Sequence, residues 1–425
     1  MQIEEFSFGN FRSFKDIQTL RMSAANITSS NKKLDTQNVL TVNDKTNLLK
    51  SKVIYGANAS GKSNAIKALF YFRLLINECM KNEGMFLFMS SHKYSIETEN
   101  APCFFQIIFH DNEKKYRYGF ETTEHKIHSE WLYITHTNRE VPVFIRDGQD
   151  ITNISKTHVP KGYEISKLKS KLFTEKVLFL TLIESFGDKM AEDIMKSIDS
   201  IMICTPELNI EDFSINYIKN SFTLIPDVVN FLKYADTNIS NIGFQKIIKA
   251  IDKIDEEETV IVSTHPKYNE NSEEISSVNM FFDFVESDGT KQIFALSPFI
   301  FSALENGHPL VIDEFGSKLH PLLTKKIFSL FNSDKNTQSQ IIAATHTTEL
   351  MSSDLLRKDQ IDFVEKDTYG RSYLYTLVEI KGIRNTASFE SDYLKGRYGA
   401  VPFLGNWEEL EKICDETSES KNEGK

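Results

Sequence analysis

VIYGANASGKSN, residues Val53 to Asn64, is the stretch that decides how this chain is read. Gly56, Gly61, Lys62 and Ser63 complete the spacing G-x-x-x-x-G-K-S, and the β-branched and aromatic residues before Gly56 suit a buried strand. The small Ala57, Ala59 and Ser60 let successive backbone N–H groups curl around an anion, which then sits at a helix N-terminus. The candidate nucleotide-binding residues are therefore Gly56, Ala57, Asn58, Ala59, Ser60, Gly61, Lys62, Ser63 and Asn64. Lys62 would reach terminal phosphates as a point charge, and the Ser63 hydroxyl would take a place in an octahedral Mg²⁺ shell. The competing reading is a plain glycine turn.

The chain has 425 residues, 40% hydrophobic and 26% charged, which is ordinary globular composition with ample material for a core. Its formal net charge of −11 argues against a protein that coats nucleic acid over its whole surface, and leaves DNA contact possible only at a local patch. Cys79, Cys103, Cys204 and Cys414 are scattered without a C-x-x-C pair, so neither a zinc ribbon nor a disulfide framework is indicated and a reducing cytosol fits best. The N-terminus MQIEEF carries acids where a signal peptide needs bases, and apolar runs such as Val177 to Ile183 fall short of a membrane span. The expected setting is cytoplasmic, with no membrane partner.

Along the chain, Met1 to Ile17 reads as strand, turn and strand, giving a β-layer ahead of the phosphate loop. Ser23 to Asn47 lacks periodicity and reads as an exposed loop. Ile66, Leu69, Phe72, Leu75 and Ile76 keep near-helical spacing after Lys62, to a stop at Asn82-Glu83-Gly84. Phe104 to Glu121 has the pattern of a hairpin; Gln106 within it is either a solvent-facing strand residue or a glutamine that senses Mg²⁺. From about Ser155 to Glu258, apolar spacing such as Met190, Ile194, Ile198 and Ile201 indicates a helical insertion without sustained heptads. Its lysines Lys161, Lys167, Lys169, Lys171 and Lys176 read as a solvated helix face or as contacts to a phosphate backbone.

Strand patterns resume at Val260 to Thr264 and at Met280 to Val285. Glu286-Ser287-Asp288-Gly289-Thr290 then opens a helix that Pro298 can kink and that Asn306-Gly307 stops. This is either a plain N-cap or a second anion site, with Ser287 and Gly289 as its candidates. Pro309 to Ile312 is a buried strand ending in Asp313 and Glu314. Paired carboxylates at such a strand end call for a cation or a mobile proton, and the upstream loop supplies both uses. Asp313 would hold Mg²⁺, directly or through water, and Glu314 would orient and deprotonate the attacking water. One helix and one strand later, Gln340 to Thr345 ends at His346, which a parallel sheet would bring to the γ-phosphate side.

Taken in order, these motifs resemble the ABC-type ATPases, and within them the SMC and RecF branch with its relatives of the overcoming-lysogenization-defect type. YRYGFE, EWLY, ESDGT, DEFGSKLHP and DYLKGRYGAVPF resemble more narrowly the AAA-family ATPases of bacterial abortive-infection and anti-phage operons, the AbiLi and RloA type. The resemblance implies an α/β fold, a P-loop NTPase of ABC-ATPase type with an N-terminal β-layer and a helical insertion. Its parts would be 1–154, insertion 155–258, second ATPase part 259–414 and a polar tail 415–425. In NFRSF, Arg12 stands where the family arginine contacts nucleotide phosphate. The resemblance further implies ATP and Mg²⁺ as cofactors, Ser287 and Gly289 as a signature acting on ATP held by another subunit, and a homodimer or larger homo-oligomer. Asp288 departs from the usual LSGGQ form; an acid near phosphate costs Coulomb energy unless it points away. Related ATPases carry a Toprim nuclease after the switch histidine, and this chain is expected to lack one, so a separately encoded effector, nuclease or toxin, would be its partner. A RecF-like repair ATPase that binds DNA is the alternative, and a non-hydrolysing scaffold a third.

Overall fold

The structure is a computed structural model and describes residues 1–402 apart from 137–138, 169–173, 209, 221–223, 236, 252–253 and 385–386. Lys169, Lys171, Cys414 and the expected polar tail from Asp415 lie outside the described residues. The loop's leading strand, Ser51–Tyr55, is buried at every position. It lies inside a six-stranded sheet whose order is Met202–Cys204, Pro309–Ile312, Gln340–Ala344, Ser51–Tyr55, Ile361–Lys366 and Ser372–Thr376. Pairing is parallel except for the last strand. Parallel strands covered on both faces read as near-continuous apolar runs, as PLVI and, after Gln340, IIAA do.

The pleat sends alternate residues to opposite cores. Ile54, Val311, Ile342 and Val364 face one core, shared with the helix Lys62–Glu78 and a seven-stranded antiparallel sheet. Val53, Tyr55, Leu310, Ile312, Ile341 and Phe363 face the other, shared with the helices Asp288–Asn306 and Pro321–Phe331. The antiparallel sheet runs Asp150–Ile154, Arg139–Asp147, Ile127–His136, Lys114–Thr122, Cys103–Asp111, Gln2–Gly9 and Gln18–Arg21. Phe72 of the helix Lys62–Glu78 stacks on Phe120 at 5.3 Å and meets Phe6 edge-on at 5.5 Å. One helix therefore joins the phosphate loop to the β-layer through aromatic packing. The helix Asp288–Asn306 runs through Pro298 without a break in its assignment.

Three stretches depart from the sequence reading. The expected helical insertion over 155–258 does hold helices, from Pro160–Lys167 to Ile225–Tyr234, but Met202–Cys204 between them is a strand of the central sheet. Three residues are too few to show any period. Asn241–Ile251 and Ile254–Tyr268 then form, with Glu274–Phe281, a three-stranded antiparallel sheet. The predicted strand Met280 to Val285 ends at Phe281, and Phe282–Val285 is a helical turn that puts buried Phe282 5.1 Å from Phe294. Ser23 to Asn47, expected as loop, includes the short helix Leu34–Gln37 and much of the hairpin Val39–Asn43 with Thr46–Leu49.

Beside the phosphate loop strand, Lys52 Nζ lies 2.8 Å from Asp362 Oδ1, with each side chain 1% exposed. Thr376 donates a further hydrogen bond to the same oxygen at 2.7 Å. Asp362→Ala strands the Lys52 ammonium and should lower the unfolding free energy by about 3–5 kcal/mol in urea titrations, whereas Lys52→Met with Asp362→Leu should recover most of it. Equal losses in the single and double variants would show that the charge pairing is not what holds these strands.

Candidate functional site

Parallel register brings the separate motifs to one edge. Ile312 lies beside Ala343, and Ala344 beside Ile54. The residues that follow these strands, Asp313-Glu314, Thr345-His346 and Gly56, therefore leave the sheet together, at the carboxyl ends where open α/β sheets place ligands.

The loop itself is shaped by glycine. A side chain at Gly56 would put its Cβ 2.3 Å from the Val364 carbonyl oxygen, and Gly61, at φ +119°, caps the helix Lys62–Glu78 in the left-handed region. Two serines hold the loop from behind. Ser372 Oγ donates to the Ser60 carbonyl at 2.5 Å, Ser372 N donates to the Ser13 carbonyl at 2.8 Å, and Asn64 Nδ2 donates to Ser13 Oγ at 2.9 Å. Sequence reading missed both serines as loop supports, since neither carries a local signal.

Lys62 Nζ donates to the carbonyls of Gly56 at 2.8 Å and Ala57 at 3.0 Å. Burial lowers its pKa to about 8, against the opposing pull of Asp313 and Glu314. Burial also raises the Asp313 carboxyl, which accepts hydrogen bonds from the Ser63 hydroxyl and from the Glu314 backbone N–H, the latter at 3.1 Å. His346 binds a proton less readily than usual, first through loss of solvent and then through the charge of Lys62. Ser60 Oγ is buried with no hydrogen-bond partner. A magnesium-bound nucleoside triphosphate fits these groups: a half-desolvated ammonium with carbonyl partners, a spare hydroxyl, and a Ser63–Asp313 pair able to hold the cation.

Tyr55 Oη donates to the Thr347 carbonyl at 3.0 Å, and Thr348 Oγ1 donates to Glu390 at 2.6 Å. These bonds hold the segment after His346 between the central sheet and the helix Phe389–Leu394.

Ser287 and Gly289 are not among these residues. Ser287 Oγ accepts from Thr290 N at 3.1 Å as the N-cap of Asp288–Asn306. Both residues line a cleft of about 950 Å³ with His265, Glu286 and His320, and residues 56–64 do not border it. Asp288, the unexpected acid, lies 3.5 Å from the Lys318 ammonium at the exposed rim.

Arg12 is held by aromatic neighbours. Its guanidinium lies over the Tyr71 ring at 5.1 Å and the Phe11 ring at 5.5 Å, and donates to Tyr71 Oη at 3.3 Å. Tyr71 is nine residues past Lys62, about 13 Å along the helix. The backbone of Arg12, at φ +50°, donates to the Ser90 carbonyl and accepts from His92 Nδ1, and this turn leaves its neighbour Ser13 to meet the loop. Gln106 is likewise engaged within the antiparallel sheet, accepting from Trp131 Nε1 at 3.0 Å and from Arg117 at 3.2 Å.

Glu314 holds φ at +55°, a left-handed conformation that costs a side-chain-bearing residue roughly 1–2 kcal/mol. Glu314→Gly should therefore raise the unfolding free energy by about 1 kcal/mol, while Glu314→Gln leaves it unchanged. Thermal denaturation compares them, and a less stable glycine variant would show that the strain is absent.

The family model described as "AAA domain, putative AbiEii toxin, Type IV TA system" matches residues 53–352, well over half of the chain. A comparison with curated proteins found no match. Among solved structures, an SMC head bound to the C-terminal winged-helix domain of ScpA is 14% identical, with a TM-score of 0.45, 88% of this chain covered and 97% of that one. The SMC head domain from Thermotoga maritima is 11% identical at a TM-score of 0.40, covering 88% and 99% of the two chains. An SMC head with an extended coiled coil bound to a ScpA domain, from Pyrococcus furiosus, is 13% identical at 0.38, covering 88% and 96%. The phosphate loop at the carboxyl edge of a parallel sheet agrees with the family match: the chain belongs to the AAA-domain family described as putative AbiEii toxin of type IV toxin–antitoxin systems, and it is a P-loop ATPase.

Proposed function

We propose that this ATPase binds ATP with Mg²⁺ at Gly56 to Asn64, hydrolyses it, and acts as the sensor or regulatory subunit of an anti-phage defence system that controls a separate nuclease or toxin. The observation that carries the catalytic part is the convergence of Lys62, Ser63, Asp313, Glu314 and His346 at one sheet edge, where the acids act on Lys62 and Lys62 acts on His346. The family description, with its toxin–antitoxin setting, supports the regulatory part. A cytosolic setting accords with free, buried Cys79, Cys103 and Cys204. Among the described residues no helix is long and apolar enough to cross a membrane.

ATP would supply the transferable γ-phosphoryl group and Mg²⁺ would neutralise developing charge, with Ser63 and Asp313 to hold the cation; Lys62 would exchange its carbonyl partners for phosphate oxygens. Glu314 orients and deprotonates the attacking water, and His346, neutral near pH 7, donates a hydrogen bond toward the γ-phosphate side. Ser287 and Gly289 line a separate cleft, so their role requires a second subunit, joined through ATP. Lys161 donates to the Phe186 carbonyl and Lys167 pairs with Glu164, which favours a solvated helix face over DNA contact for these two lysines.

Glu314→Gln should bind ATP but lose at least a hundredfold in turnover, and light scattering should show ATP driving it into a larger assembly. A variant whose mass ignores ATP would remove the shared-site reading. Lys62 gives a pH test. In EDTA, nucleotide affinity should be flat below about pH 8 and fall by up to tenfold per unit above it, because binding must then recharge the lysine. For the ligand-free protein the sign reverses: between about 8 and the ordinary 10.5 the unfolded chain holds more protons, so stability rises with pH. A nucleotide titration without a break near 8 would place Lys62 away from the phosphates.

A further inference from the structure

Glu274–Phe281 is the outer strand of the added sheet, paired on one side from Tyr268↔Glu274 to Val262↔Phe281. Along its other side no strand is paired among the described residues. All its residues but Met280 are exposed, including Ile275 at 62%, Val278 at 39% and Phe281 at 45%. Sheet edges are ordinarily blunted by lysine, proline or short length. The strand EISSVNMF has neither residue, and at 8 residues it is longer than the commonest strand length.

We propose that this edge pairs with the same edge of a second copy of the chain, antiparallel about a two-fold axis that passes between Val278 and its own copy, to make one continuous sheet of six strands. The strand is complementary to itself in that register. Val278 falls opposite the partner subunit's Val278, Ile275 opposite the partner's Phe281, and Ser277 opposite the partner's Asn279. The single charge, Glu274, falls one place past the partner's Phe281, so no like charges meet. An isologous contact needs this property, and a strand built for a foreign peptide does not. Phe284, 88% exposed, and Val285, 47% exposed, extend the apolar margin beyond the strand. The pairing is independent of nucleotide and of the ATP-joined assembly proposed above.

The test uses the full chain without nucleotide. At tens of micromolar, light scattering should give twice the 48.8 kDa chain mass, and Ile275→Lys with Val278→Lys should return it to one chain mass with an unchanged thermal midpoint. Register is read by cross-linking. Chains carrying Val278→Cys or Ser276→Cys, each with Cys414→Ser, are oxidised separately; only a residue opposite its own copy stands at disulfide distance. A disulfide-linked dimer of the Val278→Cys chain, absent from the Ser276→Cys chain, is the expected result; buried Cys79, Cys103 and Cys204 do not compete. A single-chain mass for the wild type, a dimer indifferent to the lysines, or equal cross-linking of the two variants overturns the proposal.

Discussion

Parallel strands cannot be closed by a tight turn, so each must hand its chain on at the same edge of the sheet. In this molecule that constraint acts on Ser51–Tyr55, Pro309–Ile312 and Gln340–Ala344. Nearly three hundred residues separate the loop from His346 in sequence, yet one register delivers Lys62, the two acids and the histidine to a common rim. The rest of the molecule covers the two faces of these strands. Alternating residues of each strand feed two different cores, so a shift of register by one residue would exchange the partners of both.

At that rim the protein keeps groups in states that water would not favour. Lys62 is desolvated, Asp313 is buried, and Glu314 turns through a backbone conformation that suits glycine. Folding alone has no use for any of the three. The phosphate and cation proposed for this site would balance its charges, and function is the usual reason such costs persist.

What could be read in advance follows from how local each signal is. The phosphate loop declares itself because its motif is complete within eight consecutive positions, even though the carbonyl that forbids a side chain at Gly56 belongs to distant Val364. Asp313, Glu314 and His346 were legible as strand ends, given a loop for them to serve. Ser13 and Ser372 were not, since an unremarkable serine becomes a loop support only when distant strands meet behind Gly61. The turn NFRSF itself sends the arginine to Tyr71 and the serine to the loop, a division that no local pattern announces. The sheet over Asn241–Phe281 was partly hidden because its first two strands are interrupted by charged residues that dilute the period of two, and pairing with one another settles what the pattern leaves open.

The mooring of the segment after His346 gives the site a mechanical reach. Thr347 is tied to Tyr55, at the root of the loop, and Thr348 to Glu390, on the helix that precedes Gly396 to Ala400. Under the proposed function, a displacement of His346 with the state of a bound phosphate would be carried by these bonds to the helix Phe389–Leu394, as by a lever. Tyr393 of that helix packs against both Tyr55 and Phe363, so the lever turns on an aromatic pivot. The proposed chemistry would thereby be legible away from the phosphate loop, at a helix from the far end of the described chain.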